Sequence, residues 1–225
     1  MIMQTPDLFD EPGQITLHTL APGATLLRGF ALASAETLYT SIQSMLARAP
    51  LRTMHTPGGR PMSVNTSNCG DFGWISDARG YRYAACDPLS SQPWPDMPDP
   101  LRQLATNAAQ AAGYPHFESN ACLINRYEVG ARMGLHQDRD EADLTQPIVS
   151  VSLGLSALFL FGGLSRTSPT RKVPLDHGDV VVWGGPSRLA FHGIQPLAAG
   201  HHPLTGPYRF NLTFRYTAYA FGTSR

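Results

Sequence analysis

The chain has 225 residues, 42% of them hydrophobic, and its 17 basic and 17 acidic side chains cancel to a formal charge of zero. That length supports one substantial core, so a single domain over residues 1–225 is expected. The balanced charge excludes a global attraction to polyanions or anionic membranes, and any nucleic-acid contact has to be local.

Three cysteines, Cys69, Cys86 and Cys122, occur without a Cys-x-x-Cys. This argues against a disulfide framework or a zinc knuckle and for a reducing compartment. The segment from Met1 to Asp7 has no basic region followed by an apolar run, and no later stretch is long and apolar enough to span a bilayer. A soluble, cytoplasmic protein without membrane contact, acting as a monomer, is the expectation.

The first periodic segment begins at Ser34, which is placed to cap a helix; Glu36 suits its positive end. Leu38, Ile42, Met45 and Leu46 form its apolar stripe, and Pro50 closes it. From Leu51 to Pro98 the pattern breaks into short polar and aromatic pieces, punctuated by Pro57-Gly58-Gly59, Asn68-Cys69-Gly70 and Arg79-Gly80. These pieces predict hairpins and loops. Trp74, Tyr81 and Tyr83 alternate with Arg79 and Arg82 there. Two readings are open: a small aromatic satellite core, or a lid offering stacking faces and phosphate donors to a nucleotide.

A proline-rich connector from Pro93 to Pro98 leads into a second helix, with Asp99 as the expected cap and Pro100 at the first helical position. Leu101, Leu104, Ala105, Ala108 and Ala112 make its buried face, and Gly113 ends it. After Pro115 the chain reads as short strands: Ala121 to Tyr127, Ile148 to Leu155, Ala157 to Phe161, Val180 to Trp183, Ala190 to Ile194 and Arg209 to Tyr216. Strands after a helical section predict an α+β fold with a mainly β core, a sandwich or jelly roll with helices packed outside.

Within this run His136-Gln137-Asp138 sits on an extended segment, where alternation projects His136 and Asp138 to one side. An imidazole and a carboxylate converging there suit a metal. A distant histidine, with His192 as the candidate, would complete a two-histidine, one-carboxylate face that leaves open positions on Fe(II). The rival pair, His177 and Asp179, reads more naturally as the turn into the strand from Val180 to Trp183.

In the last strand Phe210, Leu212 and Phe214 share one face, and Arg209, Asn211, Thr213 and Arg215 the other. The polar face is either exposed, or turned inward, where two guanidiniums would need anionic partners that a dicarboxylate could supply. Asn125 and Tyr127, sharing a face of the strand from Ala121, could meet the same carboxylates.

Asn125-Arg126-Tyr127, His136-Gln137-Asp138, the segment from Gly184 to Ile194 around His192, and Asn211-Leu212-Thr213-Phe214-Arg215 together resemble the AlkB family of Fe(II)- and 2-oxoglutarate-dependent dioxygenases. The resemblance is greatest to the bacterial branch that repairs alkylated nucleic acid, and it covers roughly residues 20 to 217. It implies a double-stranded β-helix, cupin-like, with residues 51–98 as a nucleotide-recognition lid. It also implies Fe(II) on His136, Asp138 and His192, with Arg209 and Tyr127 holding the distal carboxylate of 2-oxoglutarate. Arg215, Asn125 and Asn211 would attend the metal-proximal end. On the substrate side Trp74 and His136 would sandwich a flipped base, Asp140 would meet its exocyclic group, and Tyr81, Arg82, Tyr83 and Arg166 would lie along the strand.

The implied reaction is oxidative demethylation of bases such as 1-methyladenine and 3-methylcytosine. It consumes 2-oxoglutarate and O2 and releases formaldehyde, succinate and CO2. Single- or double-stranded DNA is the expected partner, and RNA a further one. The alternatives are the same chemistry on RNA, tRNA or protein, and a jelly-roll binding module without turnover.

Overall fold

The computed structural model describes residues 15–217, so the N-terminal segment read for a leader lies outside the described residues. The first half of the chain contains β1 (Thr16–Ala21), β2 (Ala24–Arg28), α1 (Ala35–Arg48), β3 (Arg52–His55), β4 (Pro61–Gly70), β5 (Gly73–Asp77), β6 (Gly80–Ala84) and α2 (Asp99–Ala111). The second half is almost entirely β: β7 (Ala121–Tyr127), β8 (Met133–His136), β9 (Ile148–Gly154), β10 (Ala157–Phe161), β11 (Arg171–Leu175), β12 (Val180–Trp183), β13 (His192–Ile194) and β14 (Arg209–Arg215).

These strands build an eight-stranded sheet in the order β1-β2-β12-β9-β14-β7-β4-β3, a four-stranded sheet in the order β11-β10-β13-β8, and the separate hairpin β5-β6. The two larger sheets form a double-stranded β-helix, and both helices pack outside it. One core lies under the helices, where Leu38, Ile42, Leu101 and Ala105 meet Ile124, Val151, Phe210, Leu212 and Phe214. A second lies between the sheets and includes Leu26, Ile148, Phe159, Phe161, Val181 and Trp183. Alternation on β14 therefore decides the question left open by its sequence. The apolar face supports the helices, and the face with Arg209 and Arg215 turns into the space between the sheets, with every residue of the strand buried.

β14 is paired on both sides, Leu212 standing opposite Ile124 on β7 and Val151 on β9. Truncating such a side chain removes transfer free energy and leaves a cavity that flanking strands cannot close. Leu212→Ala is expected to destabilise the protein by about 2–5 kcal/mol. Urea unfolding should show this as a lower midpoint with an unchanged slope.

Several local expectations are corrected. Ser34 does precede α1, but its hydroxyl donates to the Ala31 carbonyl at 3.2 Å and caps no helical amide. In α2 the cap position falls on Pro98, so Asp99 and Pro100 occupy the first turn, where the Asp99 carboxylate still suits the helix dipole. Asn68 and Cys69 do not break the chain, because β4 runs through them and ends at Gly70. Gly70 has φ +106°, and a Cβ there would come 2.6 Å from the Asn120 carbonyl. The strands expected from Ile148, Ala190 and Arg209 are shorter, ending at Gly154, beginning at His192 and ending at Arg215. Strands β1, β2 and β11 had no clear sequence signal. β11 contains Pro174 and two exposed cations, features tolerated because it is an edge strand. Among the described residues no helix is long and apolar enough to cross a membrane.

Candidate active site

Strands β8 and β13 pair so that His136 and His192 stand directly opposite each other, with ring centroids 4.4 Å apart. The close approach depends on Gly193, where a Cβ would meet the Met133 carbonyl at 2.6 Å. Two residues past His136 the chain brings Asp138 back to the same point. Its Oδ1 lies 3.6 Å from His136 Nε2 and 3.9 Å from His192 Nε2. The three candidate ligand atoms all lie within 4.8 Å of one another, the only such group of metal-binding side chains among the described residues.

The surroundings prepare these atoms for a cation. Each imidazole places Nδ1 2.9 Å from a main-chain carbonyl, Gly134 for His136 and Ala190 for His192. A carbonyl can only accept, so Nδ1 carries the proton and the Nε2 lone pair is left facing the carboxylate. Burial, then the neighbouring His136, pulls the pKa of His192 down to about 4, so this imidazole is uncharged at neutral pH. Burial would raise the pKa of Asp138, but Arg215 beside it, with His192 and His136, holds it below the usual carboxylate range. Arg215 donates from Nε and Nη2 to Asp138 Oδ2, at 3.1 and 2.9 Å. That occupies one carboxylate oxygen and leaves Oδ1 as the single ligand atom.

Behind the triad a cavity of about 640 Å³ opens between the sheets. Arg209 is 1% exposed in its wall, donates Nη2 to Ser152 Oγ at 3.0 Å, and places its guanidinium 4.9 Å from the Tyr127 ring. Among the described residues its Nε and Nη1 are buried with no hydrogen-bond partner. A cation in this state calls for an anionic partner. The sequence reading gave both arginines to a dicarboxylate. Arg215 already has Asp138, and Glu141 Oε1 lies 3.3 Å from its Nε, so Arg209 alone presents the unmet charge. Asn125 donates to Asn211 Oδ1 at 3.2 Å, and Asn211 is itself tied to Ser150 and Val151, at 2.8 and 3.1 Å.

The β5-β6 hairpin covers the cavity mouth. Trp74 stacks on Tyr81 with centroids 5.6 Å apart and planes inclined by 11°, and its indole N–H donates to Asp140 Oδ2 at 2.9 Å. Arg166 also borders the cavity, donating to the Leu135 carbonyl at 2.7 Å with its guanidinium over Phe191. Every residue proposed from sequence for this site lines the cavity except Arg82 and Tyr83. Arg82 forms a two-pronged ion pair with Asp77 across the hairpin, both contacts at 2.8 Å. Tyr83 points its hydroxyl inward to Glu141 at 2.5 Å.

The rival pair is structural. His177 accepts from the Gly154 amide at 3.0 Å, while Asp179 accepts from Arg28 at 2.5 Å and from the Gly29 amide at 2.9 Å. Three residues of the site had been passed over. Asn68 grips the main chain of Trp74 in both directions, at 3.1 and 3.0 Å, from what had read as a turn. Glu141 and Arg188 form a buried ion pair at 3.0 Å.

A two-histidine, one-carboxylate triad at the mouth of a double-stranded β-helix, with an uncompensated arginine behind it, defines an iron- and 2-oxoglutarate-dependent oxygenase. The model of the 2OG-Fe(II) oxygenase superfamily matches residues 23–215. Alpha-ketoglutarate-dependent dioxygenase AlkB of Escherichia coli (strain K12) is 56% identical over 211 residues, 93% of this chain and 96% of that protein. The AlkB of Salmonella typhimurium (strain LT2) is 55% identical over 199 residues, 88% of this chain and 92% of that one. The solved structure of OsALKBH1 superposes with a TM-score of 0.79 at 29% identity, covering 89% of this chain and all of that one. The chain belongs to the AlkB family, whose cofactor is Fe(II) and whose co-substrates are 2-oxoglutarate and O2.

Proposed function

We propose that the protein demethylates N-alkylated bases in DNA, such as 1-methyladenine and 3-methylcytosine, as a repair enzyme. The observation that carries this reading is the lid: Trp74, stacked on Tyr81 and bonded to the Asp140 carboxylate, lines the same cavity as the metal triad. Methylation at those ring nitrogens fixes a positive charge on the base. An aromatic face and a carboxylate are the groups that recognise a flat cation.

His136, Asp138 and His192 hold the iron. Bound there, Fe(II) and 2-oxoglutarate would supply the oxidation of the N-methyl group by dioxygen, with formaldehyde, succinate and CO2 as products. Arg209 takes the distal carboxylate of the co-substrate against Tyr127; Arg215 and Asn125 attend its metal-proximal end, with Asn211 bracing Asn125. Trp74 and His136 enclose the extruded base, and Asp140 meets its exocyclic nitrogen. Tyr81, Arg166 and the hairpin carrying Arg82 follow the flanking strand, residues 51–98 acting as the recognition lid. Seating the base in the cavity would exclude water from the site. Extrusion costs about a few kcal/mol from a duplex and less from a single strand, which makes single-stranded lesions the easier substrate.

The deciding experiment compares formaldehyde release from methylated DNA, RNA and peptide; preference for the peptide would overturn the reading. Trp74→Ala should lower kcat/KM on methylated oligonucleotides by roughly 5- to 150-fold, the equivalent of about 1–3 kcal/mol of base stacking. The visible charge-transfer band formed anaerobically with Fe(II) and 2-oxoglutarate should persist in that variant, because the loss lies in base recognition.

A further inference from the structure

Behind the metal carboxylate lies a buried ion cluster in which Glu141 and Arg188 have no task in the reaction above. Glu141, three residues after Asp138, is 6% exposed. Its Oε2 accepts from Arg188 at 3.0 Å, and its Oε1 accepts from the Tyr83 hydroxyl at 2.5 Å and lies 3.3 Å from Arg215 Nε. The two guanidiniums that meet Glu141 also hold Asp138. Arg215 grips its Oδ2, and Arg188 donates Nη1 to its main-chain carbonyl at 2.5 Å. Arg188 is fixed in turn by a third bond, from Nε to the Gln146 carbonyl at 2.7 Å.

A buried ion cluster of this kind contributes little to stability beyond what apolar packing would give. It does fix geometry. Glu141 Oε1 and Asp138 Oδ2 meet the same Arg215 Nε, so the charge of Glu141 helps set where the Arg215 fork lies and hence which carboxylate oxygen points at the histidines. The Tyr83 hydroxyl bonded to the same Oε1 comes from β6, the lid strand paired with Trp74.

We propose that Glu141 is a positioning residue joining the lid to the metal centre. Through Arg215 it aims Asp138, and through Tyr83 it seats the β5-β6 hairpin against that same arginine. The proposal rests on His136, Asp138 and His192 being the metal ligands. A dication on Oδ1 fixes Asp138 and Arg215, which steadies Glu141 and so the hold on Tyr83. By reciprocity, seating the lid strengthens metal binding by the same factor.

Co(II) binding and hydrogen–deuterium exchange of residues 73–84 test this on the full-length protein, without turnover. Co(II) should slow exchange in the hairpin of the wild type and should do so far less in Tyr83→Phe, which removes one hydroxyl. Glu141→Gln keeps the size and an acceptor but loses the charge, and should weaken Co(II) binding by up to about tenfold, the lower end of the range for direct partners of a metal ligand, because it acts through Arg215. The proposal is overturned if Co(II) leaves hairpin exchange unchanged in the wild type or protects it equally in Tyr83→Phe. Wild-type Co(II) affinity in Glu141→Gln overturns it as well. Should Glu141→Gln fail to fold, the Tyr83→Phe comparison decides alone. Unaltered Co(II) affinity in Asp138→Ala would instead refute the metal assignment, a separable outcome.

Discussion

Asp138→Ala is expected to abolish methyl removal from alkylated oligonucleotides. The substitution deletes one of three ligand atoms and the only anion among them, and it leaves the Arg215 guanidinium beside the place where a dication must sit. Loss of a partner of a metal ligand costs about 10- to 100-fold in affinity, and loss of the ligand itself should exceed that. Repulsion from Arg215, no longer screened by a carboxylate, adds to the deficit. His136→Ala should fail in the same way, since its Nε2 completes the triad from the more exposed side. Formaldehyde release with saturating Fe(II) and 2-oxoglutarate provides the measurement, and full activity in either variant would refute the metal site.

The second large effect falls on Arg209, and it has two signs. Its guanidinium is buried, with Nε and Nη1 unpartnered among the described residues, and burial pushes its pKa down against the opposing influence of Tyr127. Removing one partner of a buried, hydrogen-bonded charge pair costs about 2–5 kcal/mol, so Arg209→Met should weaken 2-oxoglutarate binding by roughly 30- to 5,000-fold. Without co-substrate the same change removes an uncompensated buried cation and substitutes an apolar chain of similar length. The ligand-free variant should therefore unfold at the same or a higher temperature than the wild type. Isothermal titration with 2-oxoglutarate and thermal unfolding without it check the two halves. A variant that binds the keto acid normally would show that the anion does not sit on Arg209.

What could be read from residues alone follows from how local each determinant is. The faces of β14 were legible because side chains alternate on any strand, and the sheets then had one way to bury Phe210, Leu212 and Phe214 together. The triad was legible for a related reason: two ligands lie two residues apart, and a single further histidine had to come from a strand. The family resemblance supplied the co-substrate and lid roles that spacing alone left open. Contacts across long separations were not legible. Nothing near Glu141 announces Arg188, 47 residues on. The outer strands β1 and β11 escaped because an edge needs only one partner and tolerates residues that a central strand excludes.

The position of β14 constrains how such an enzyme can change. Flanked by β7 and β9 and pressed between helices and cavity, it admits almost no substitution that does not disturb the whole sheet. The hairpin β5-β6 belongs to neither large sheet and is joined to the body largely through side-chain contacts such as those of Asn68, Trp74 and Tyr83. New specificities are therefore accessible by rebuilding the reader while the oxidising engine stays as it is, and variation in what the protein accepts should concentrate in that hairpin.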